Sequence, residues 1–159
     1  ITVPRSLGQI PVYYTAKRTS YQRDYVEESG KPLYPFGFGL SYTSFEYGAV
    51  NVTAKNENGK AEVIAGLMIK NTGQKDGDEV VQLYVRDNVS SFTTPDRVLK
   101  AFQRIHLKAG ESKNVSFVLD EESFSLYKGN DKWEVEPGKF TIMIGASSQD
   151  IRQQTVIEL

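Results

Sequence analysis

Three pairs of close carboxylates are the first candidates for chemistry: Glu27 with Glu28, Asp76 with Asp78, and Glu121 with Glu122. Two carboxyl groups held ~5 Å apart across a sugar-sized gap can cleave a glycosidic bond with retention, one attacking and one moving a proton. Each of these pairs falls in a polar turn or loop, a setting that favours solvated turn residues over an acid/base pair. His106 is the only histidine, which excludes a paired-His metal site. It alternates with Ile105 and Leu107, so it belongs on the wet face of a strand. A dyad with Ser112 or Ser116 is the other option, but no nucleophile-elbow sequence surrounds either serine. Trp133 and the nine tyrosines invite a sugar-stacking reading, because sugars lie on exposed aromatic faces. The spacing to Val135 favours the opposite for Trp133: both side chains point inward and fill a core. Tyr84 shares a face with Gln82 and Arg86, which places it at a surface or an interface. Asn51, Asn88 and Asn114 each head a glycosylation sequon, a short pattern that arises often by chance. The chain has no cysteine, so disulfides and thiolate metal sites are excluded, and no cofactor is expected.

Composition narrows the classes further. Hydrophobic residues make up 39% and charged residues 25% of the 159-residue chain, proportions of an ordinary folded domain. The 19 basic and 20 acidic residues leave a net charge of −1 and are interspersed, which argues against a nucleic-acid partner or an anionic membrane surface. The longest uninterrupted apolar run, Val63 to Ile69, is far short of the ~20 residues a membrane-spanning helix needs. The opening "ITVPRS" carries neither an initiator Met nor a signal segment, and reads as the middle of something longer.

From about Tyr47 onward the apolar residues alternate. Val63, Ala65, Leu67 and Ile69 form one such run, and Val81, Leu83 and Val85 another. Val115, Phe117 and Leu119 form a third, and Phe140, Ile142 and Ile144 a fourth. Period two means one buried face and one wet face. The turns "NTGQKDGDE", "KAGES" and "EPGKF" separate these runs, each with a glycine. "FQRIHLKAGESKNVSFVL" therefore reads as strand, tight turn, strand. Val50 to Ala54 and Thr155 to Leu159 supply a first and a last strand, and Glu121 to Tyr127 a short helical turn. Seven or so short strands without a strong helix predict an all-β, antiparallel sandwich of immunoglobulin-like architecture with an irregular N-terminal extension. In that extension "GQIPVYY" reads as one strand and "TAKRTSYQRDYVEESGKP" as a long polar loop, which inside a compact domain is functional or a linker.

Between the two regions lies "LYPFGFGLSYTSFEY", Leu33 to Tyr47, in which six of fifteen residues are aromatic. Pro35 fixes one backbone angle, and Gly37 and Gly39 permit turns that bulky residues resist. The chain can thus change direction twice while Phe36 and Phe38 enter apolar surroundings. Tyr34, Pro35, Phe36, Gly37, Phe38, Gly39 and Tyr42 are the candidate interdomain junction, a wedge between two folded units. The bland alternative assigns these rings to the sandwich's own core.

Five motifs occur in one order: "VPRSLGQIPVYY", "LYPFGFGLSYTSFEY", "NTGQKDGDEVVQLYVRD", "LKAFQRIHLKAGESKNVSFVL" and "WEVEPGKFTIMIGASSQDIR". Together they resemble the C-terminal end of glycoside hydrolase family 3 enzymes, the bacterial periplasmic β-glucosidase type in particular. The resemblance implies a parent enzyme with a barrel domain, an α/β sandwich domain and a fibronectin type III-like domain. It implies that residues 1–43 are the remnant of the α/β sandwich domain and its linker, and that 44–159 are the complete fibronectin type III-like domain. It also implies that both catalytic carboxylates of the retaining parent, which acts on terminal β-D-glucosyl residues, lie upstream of Ile1. The expected partners are then the preceding catalytic domains of the same polypeptide, with oligosaccharide substrate bound only through the parent enzyme, and the expected location is periplasmic or extracellular in a bacterium. On this reading the chain is a non-catalytic structural domain. The competing reading is a stand-alone carbohydrate-binding or adhesion module, which would need a line of exposed aromatics.

Overall fold

The computed structural model describes residues 1–10, 12–17, 24–57 and 60–159. Ten strands carry the architecture: β1 (Phe45–Tyr47), β2 (Asn51–Glu57), β3 (Lys60–Asn71), β4 (Gly77–Asp87), β5 (Val98–Leu107), β6 (Ser112–Leu119), β7 (Leu126–Gly129), β8 (Lys132–Glu134), β9 (Lys139–Gly145) and β10 (Ile151–Glu158). In one sheet β1 and β2 lie in succession along one edge of β3, and β6 lies along the other. The second sheet has the order β10-β9-β4-β5. All pairings are antiparallel. The expected all-β immunoglobulin-like sandwich is therefore the fold.

The inward residues of both sheets make one core. Val63, Ala65, Leu67 and Ile69 of β3 meet Val115, Phe117 and Leu119 of β6, Val81, Leu83 and Val85 of β4, and Phe140, Ile142 and Ile144 of β9. Every one of these alternating positions is buried. Burial of each large side chain contributes roughly 1.5–3 kcal/mol before chain entropy is set against it. Ile105 and Leu107 of β5 join the same cluster, and His106 between them is exposed. Beyond β6, Asp120 caps a single 3-10 turn over Glu121–Ser123, accepting from the Ser123 amide, where the sequence suggests a helical turn.

Two turns differ from expectation. "NTGQKDGDE" and "KAGES" do not close hairpins: β3 and β6 lie in the first sheet, β4 and β5 in the second, so both connections cross from one sheet to the other. They cross at the same end of the sandwich, and Asn71 joins them. Its side chain is fully buried. Its Nδ2 donates to the Lys75 carbonyl at 2.8 Å and to the Leu107 carbonyl at 3.1 Å, while its Oδ1 accepts from Thr43 Oγ1 at 2.6 Å and the Gly73 amide at 3.0 Å. Its backbone bonds Glu111 and Gly110. A residue that reads as part of a turn thus serves as the knot between two inter-sheet crossings.

Trp133 is a second correction. It is 64% exposed and does not enter the core. The cause is the β7–β8 pair, a two-stranded sheet of its own that stands off both main sheets, so period-two alternation in it opposes no second layer. Val135, just beyond β8, does pack against the core edge. The hairpin is tied back by Glu136, which accepts from the Ser91 amide at 2.9 Å and the Ser91 hydroxyl and pairs with Lys128 at 3.0 Å. The Ser91 hydrogen bonds and the Lys128 ammonium pull the Glu136 carboxyl down to about 2.

Two outcomes follow from these contacts. Asn71→Ala strands the backbone groups that its side chain satisfies, and it should lower stability by about 3 kcal/mol in urea denaturation, whereas exposed Asn114→Ala should stay within ~0.5 kcal/mol. For Glu136 the folded carboxyl lies below the unfolded value of about 4.3. Its contribution is therefore present above that value and is lost as pH falls through about 2. An NMR titration should show the Glu136 carboxyl and the Ser91 amide moving together near that pH; titration of Glu136 at an ordinary glutamate value would mean that the clamp does not hold.

Candidate functional site

The candidate junction residues Phe36 and Gly37 sit against the outer face of β4, and this contact explains an otherwise odd burial pattern. Val81 to Val85 are buried without interruption, as are Phe140 to Gly145. Val81, Leu83 and Val85 face the core, so Gln82 and Tyr84 face away from it. They are buried because Tyr14, Phe36 and Gly37 lie over them. Tyr14 packs edge-on against Tyr84 with centroids 6.3 Å apart, and stacks on Phe36 at 4.0 Å with planes 13° apart. Tyr84, expected at a surface or an interface, lies beneath this segment with no exposed area, and its cross-strand partner Met143 is buried too. Burial raises the Tyr84 hydroxyl well above its ordinary value.

Gln82 fastens the junction. Its Oε1 accepts from Tyr84 Oη at 2.6 Å, and its Nε2 donates to the Gly37 carbonyl at 3.0 Å and the Ala146 carbonyl at 2.6 Å. The Ser148 amide donates to the Phe36 carbonyl at 2.9 Å. Arg97 reaches the Ser148 carbonyl at 2.7 Å and pairs with Asp96, which also pairs with Arg86. Burial alone would raise the Asp96 carboxyl, but the Arg97 hydrogen bond and the two guanidinium charges outweigh it and hold the carboxyl low. The Asp96 amide donates to the Ala16 carbonyl, so the same loop also grips the extension.

The two glycines of "PFGFG" differ in role. Gly37 has φ +80°, and a Cβ there would lie 2.0 Å from Gln82 Oε1. Gly39 has no positive φ and open space around it, so the expected second glycine-dependent turn is not present. Pro35 and Phe36 are half-buried, Phe38 and Tyr34 are each 45% exposed and contact each other at 5.0 Å, and Tyr42 is 94% exposed. None of these rings belongs to the sandwich core. Phe38, Leu40, Val80 and Phe102 line a shallow cleft of about 630 Å³ on the outer face of β4 and β5. Leu40 is 90% exposed and Phe102 67%, a cluster of apolar surface that the sequence reading missed because it joins residues sixty positions apart.

The extension has fastenings of its own. Gln9 is buried, its Nε2 donating to the Gly30 and Lys31 carbonyls and its Oε1 accepting from the Arg5 amide. Ser6 donates to Glu28 at 2.8 Å. The described part of "GQIPVYY" forms no strand; Pro11 and a third of the polar loop, 18–23, fall outside the described residues.

The carboxylate pairs are not brought together across a pocket. The Ala109 amide donates to Asp76. Asp78 instead binds Arg104 and the exposed His106, 2.7 Å from its Nδ1, and the Arg104 hydrogen bond, then the His106 one, lower its carboxyl. Ser112 and Ser116 lie on β6 in the other sheet from His106, so the dyad does not form. Among the described residues no group of three or more acidic or histidine side chains could hold a metal.

With this geometry in hand, comparison with known proteins is decisive. The fibronectin type III-like domain family matches residues 79–148. A periplasmic β-glucosidase of Salmonella typhimurium is 39% identical over 96% of this chain and 21% of its own length. A putative β-xylosidase of Formosa agariphila is 41% identical over 96% of the chain and 20% of its own. The structure of a β-glucosidase from Erythrobacter marinus superimposes with a TM-score of 0.92 at 41% identity, covering 99% of this chain and 21% of that one. The chain carries a fibronectin type III-like domain and is similar to the C-terminal region of glycoside hydrolase family 3 enzymes. A β-glucosidase from Listeria innocua, solved with laminaribiose, gives a TM-score of 0.84 at 33% identity, covering 99% of this chain and 23% of that one. The chain thus spans about a fifth of the length of the family 3 relatives it matches. The coverage includes the extension as well as the sandwich, so both belong to the shared family 3 architecture. No helix among the described residues is long and apolar enough to cross a membrane.

The two glycines of "PFGFG" can be told apart by substitution. Gly37→Ala should cost about 2–3 kcal/mol, from the left-handed backbone and the displaced Gln82 amide. Gly39→Ala should stay within ~0.5 kcal/mol. Thermal or urea unfolding of the two variants reads the difference, and equal losses would remove Gln82 as the cause.

Proposed function

We propose that this region is a non-catalytic buttress in its parent family 3 enzyme, and that its junction docks the preceding catalytic domains of the same polypeptide. The observation that carries the reading is the exposed apolar cleft of Phe38, Leu40, Val80 and Phe102, continuous with the "PFGFG" turn. A cluster of large exposed apolar side chains marks a surface that is covered in use. The segment beside it is already fixed to the sandwich through Gln82, Ser148 and Asp96, so a neighbour seated on the cleft is held at a set angle. Residues 1–43 are then the remnant and linker of the preceding domain, 44–159 the fibronectin type III-like unit, and Tyr34 to Tyr42 the hinge-free joint between them. The parent, like the β-glucosidases and β-xylosidases it resembles, would hydrolyse terminal β-linked sugars from oligosaccharide substrates with carboxylates outside this chain. The name of the Salmonella relative supports a periplasmic or otherwise exported location.

Leu40→Ala and Phe102→Ala separate docking from folding. Both side chains are exposed in this chain, so its own stability should change by less than ~0.5 kcal/mol. In the whole enzyme the rings and methyls would be packed, and each substitution should cost roughly 2–4 kcal/mol and lower the temperature of activity loss. Equal behaviour of wild type and variants in the whole enzyme would show that nothing docks there.

A further inference from the structure

The chain carries a second concave surface, which shares no lining residue with the junction clefts. It is a cleft of about 450 Å³ between the loop after β4, the 3-10 turn and the β7–β8 hairpin, within the roughly 300–1,000 Å³ typical of small-molecule sites. Three aromatic side chains line it and remain accessible: Trp133 at 64%, Phe92 at 54% and Tyr127 at 47%. Trp133 and Tyr127 face each other across the hairpin register, with centroids 5.3 Å apart and planes tilted by 50°. Beneath them Phe124 and Phe140 are buried and packed edge to face, which gives the cleft a rigid floor. Its two walls are fixed to each other, since Glu136 binds Ser91, next to Phe92, and Lys128, next to Tyr127.

The polar lining has a definite character. The hydroxyl-bearing residues Thr93, Thr94, Ser123 and Ser125 line the cleft, with one acidic residue, Asp87, and one basic residue, Lys100. One negative and one positive group leave no net charge to select an ion. Hydroxyls and a balanced charge pair suit a neutral ligand rich in hydroxyl groups, and aromatic faces suit one that also presents an apolar C–H face. A pyranose ring has both. We propose that this cleft is an accessory sugar subsite, taking one or two pyranosyl units of a neutral oligosaccharide against Trp133 and Tyr127. The inference does not depend on the docking role of the junction, and either can fail without the other.

Trp133 is the only tryptophan, so its emission reports the cleft directly. The 159-residue chain is titrated separately with cellotetraose and xylotetraose while intrinsic fluorescence is followed. The expected result with at least one of them is a saturable blue shift, with a dissociation constant on the order of 1 mM. Tyr127→Ala should weaken that binding at least tenfold, and Phe102→Ala, on another face, should leave it unchanged. Isothermal titration of Trp133→Ala should show no binding, with unfolding midpoints confirming that the exposed substitution leaves the fold intact. No saturable shift with either sugar would overturn the proposal. So would a blue shift that depends on protein concentration without sugar, since a second copy would then occupy the cleft. Protection of Trp133 from acrylamide in the whole enzyme would also overturn it, because another domain would then cover the site.

Discussion

The four hydrogen bonds of the Asn71 side chain hold the sandwich closed at one end. An immunoglobulin-like fold cannot be assembled from hairpins alone; strands adjacent in sequence must cross between sheets. Each crossing turns backbone amides and carbonyls toward the interior, where unpaired groups cost about 1–3 kcal/mol each. Here two crossings meet, and one buried amide side chain serves both while also receiving the Thr43 hydroxyl. Thr43 sits two residues before β1, where the junction ends. The interaction that fixes the sheet-to-sheet crossings thus also fixes where the extension enters the fold.

A second consequence concerns β4. A central strand of a two-layer sandwich normally has one dry face and one wet face. At Val81–Val85 of β4 and Phe140–Gly145 of β9 both faces are dry, and over β4 the second cover comes from Tyr14, Phe36 and Gly37. The extension is therefore a third layer over part of the second sheet. Ala16 is held there by the Asp96 amide, whereas Gln9 is held by bonds within the extension itself.

Much of this was legible beforehand. The alternation in β3, β4, β6 and β9 identifies the core residues because period two directly records which side chains face the opposing sheet. What alternation does not record is which sheet a strand joins, and so the crossings at "NTGQKDGDE" and "KAGES" read as hairpins. Nor does it record what covers the far face: Tyr84, on one face with Gln82, reads as a surface or an interface residue, and the segment that makes it an interface has no period of its own. Trp133 fails for the reverse reason, an alternating hairpin with no layer behind it. The Tyr34–Tyr42 segment stands out in the sequence by its glycines and rings, yet of its two glycines only Gly37 has the backbone that demands glycine. The apolar cleft of Leu40 and Phe102 left no signal, since its members are brought together only by the fold.

The margins of the sheets bear on what the region would do when separated from its neighbours. A bare sheet edge offers unpaired amides to any passing strand. The first sheet's outer margin is broken between β1 and β2. Both margins of the second sheet are interrupted by register shifts, one placing Lys100 out of step on β5 and the other Arg152 on β10. Bulges of this kind twist a strand away from flat pairing. Among the described strands of the two main sheets β6 keeps an unbroken margin, so unwanted strand addition to the isolated region is favoured there.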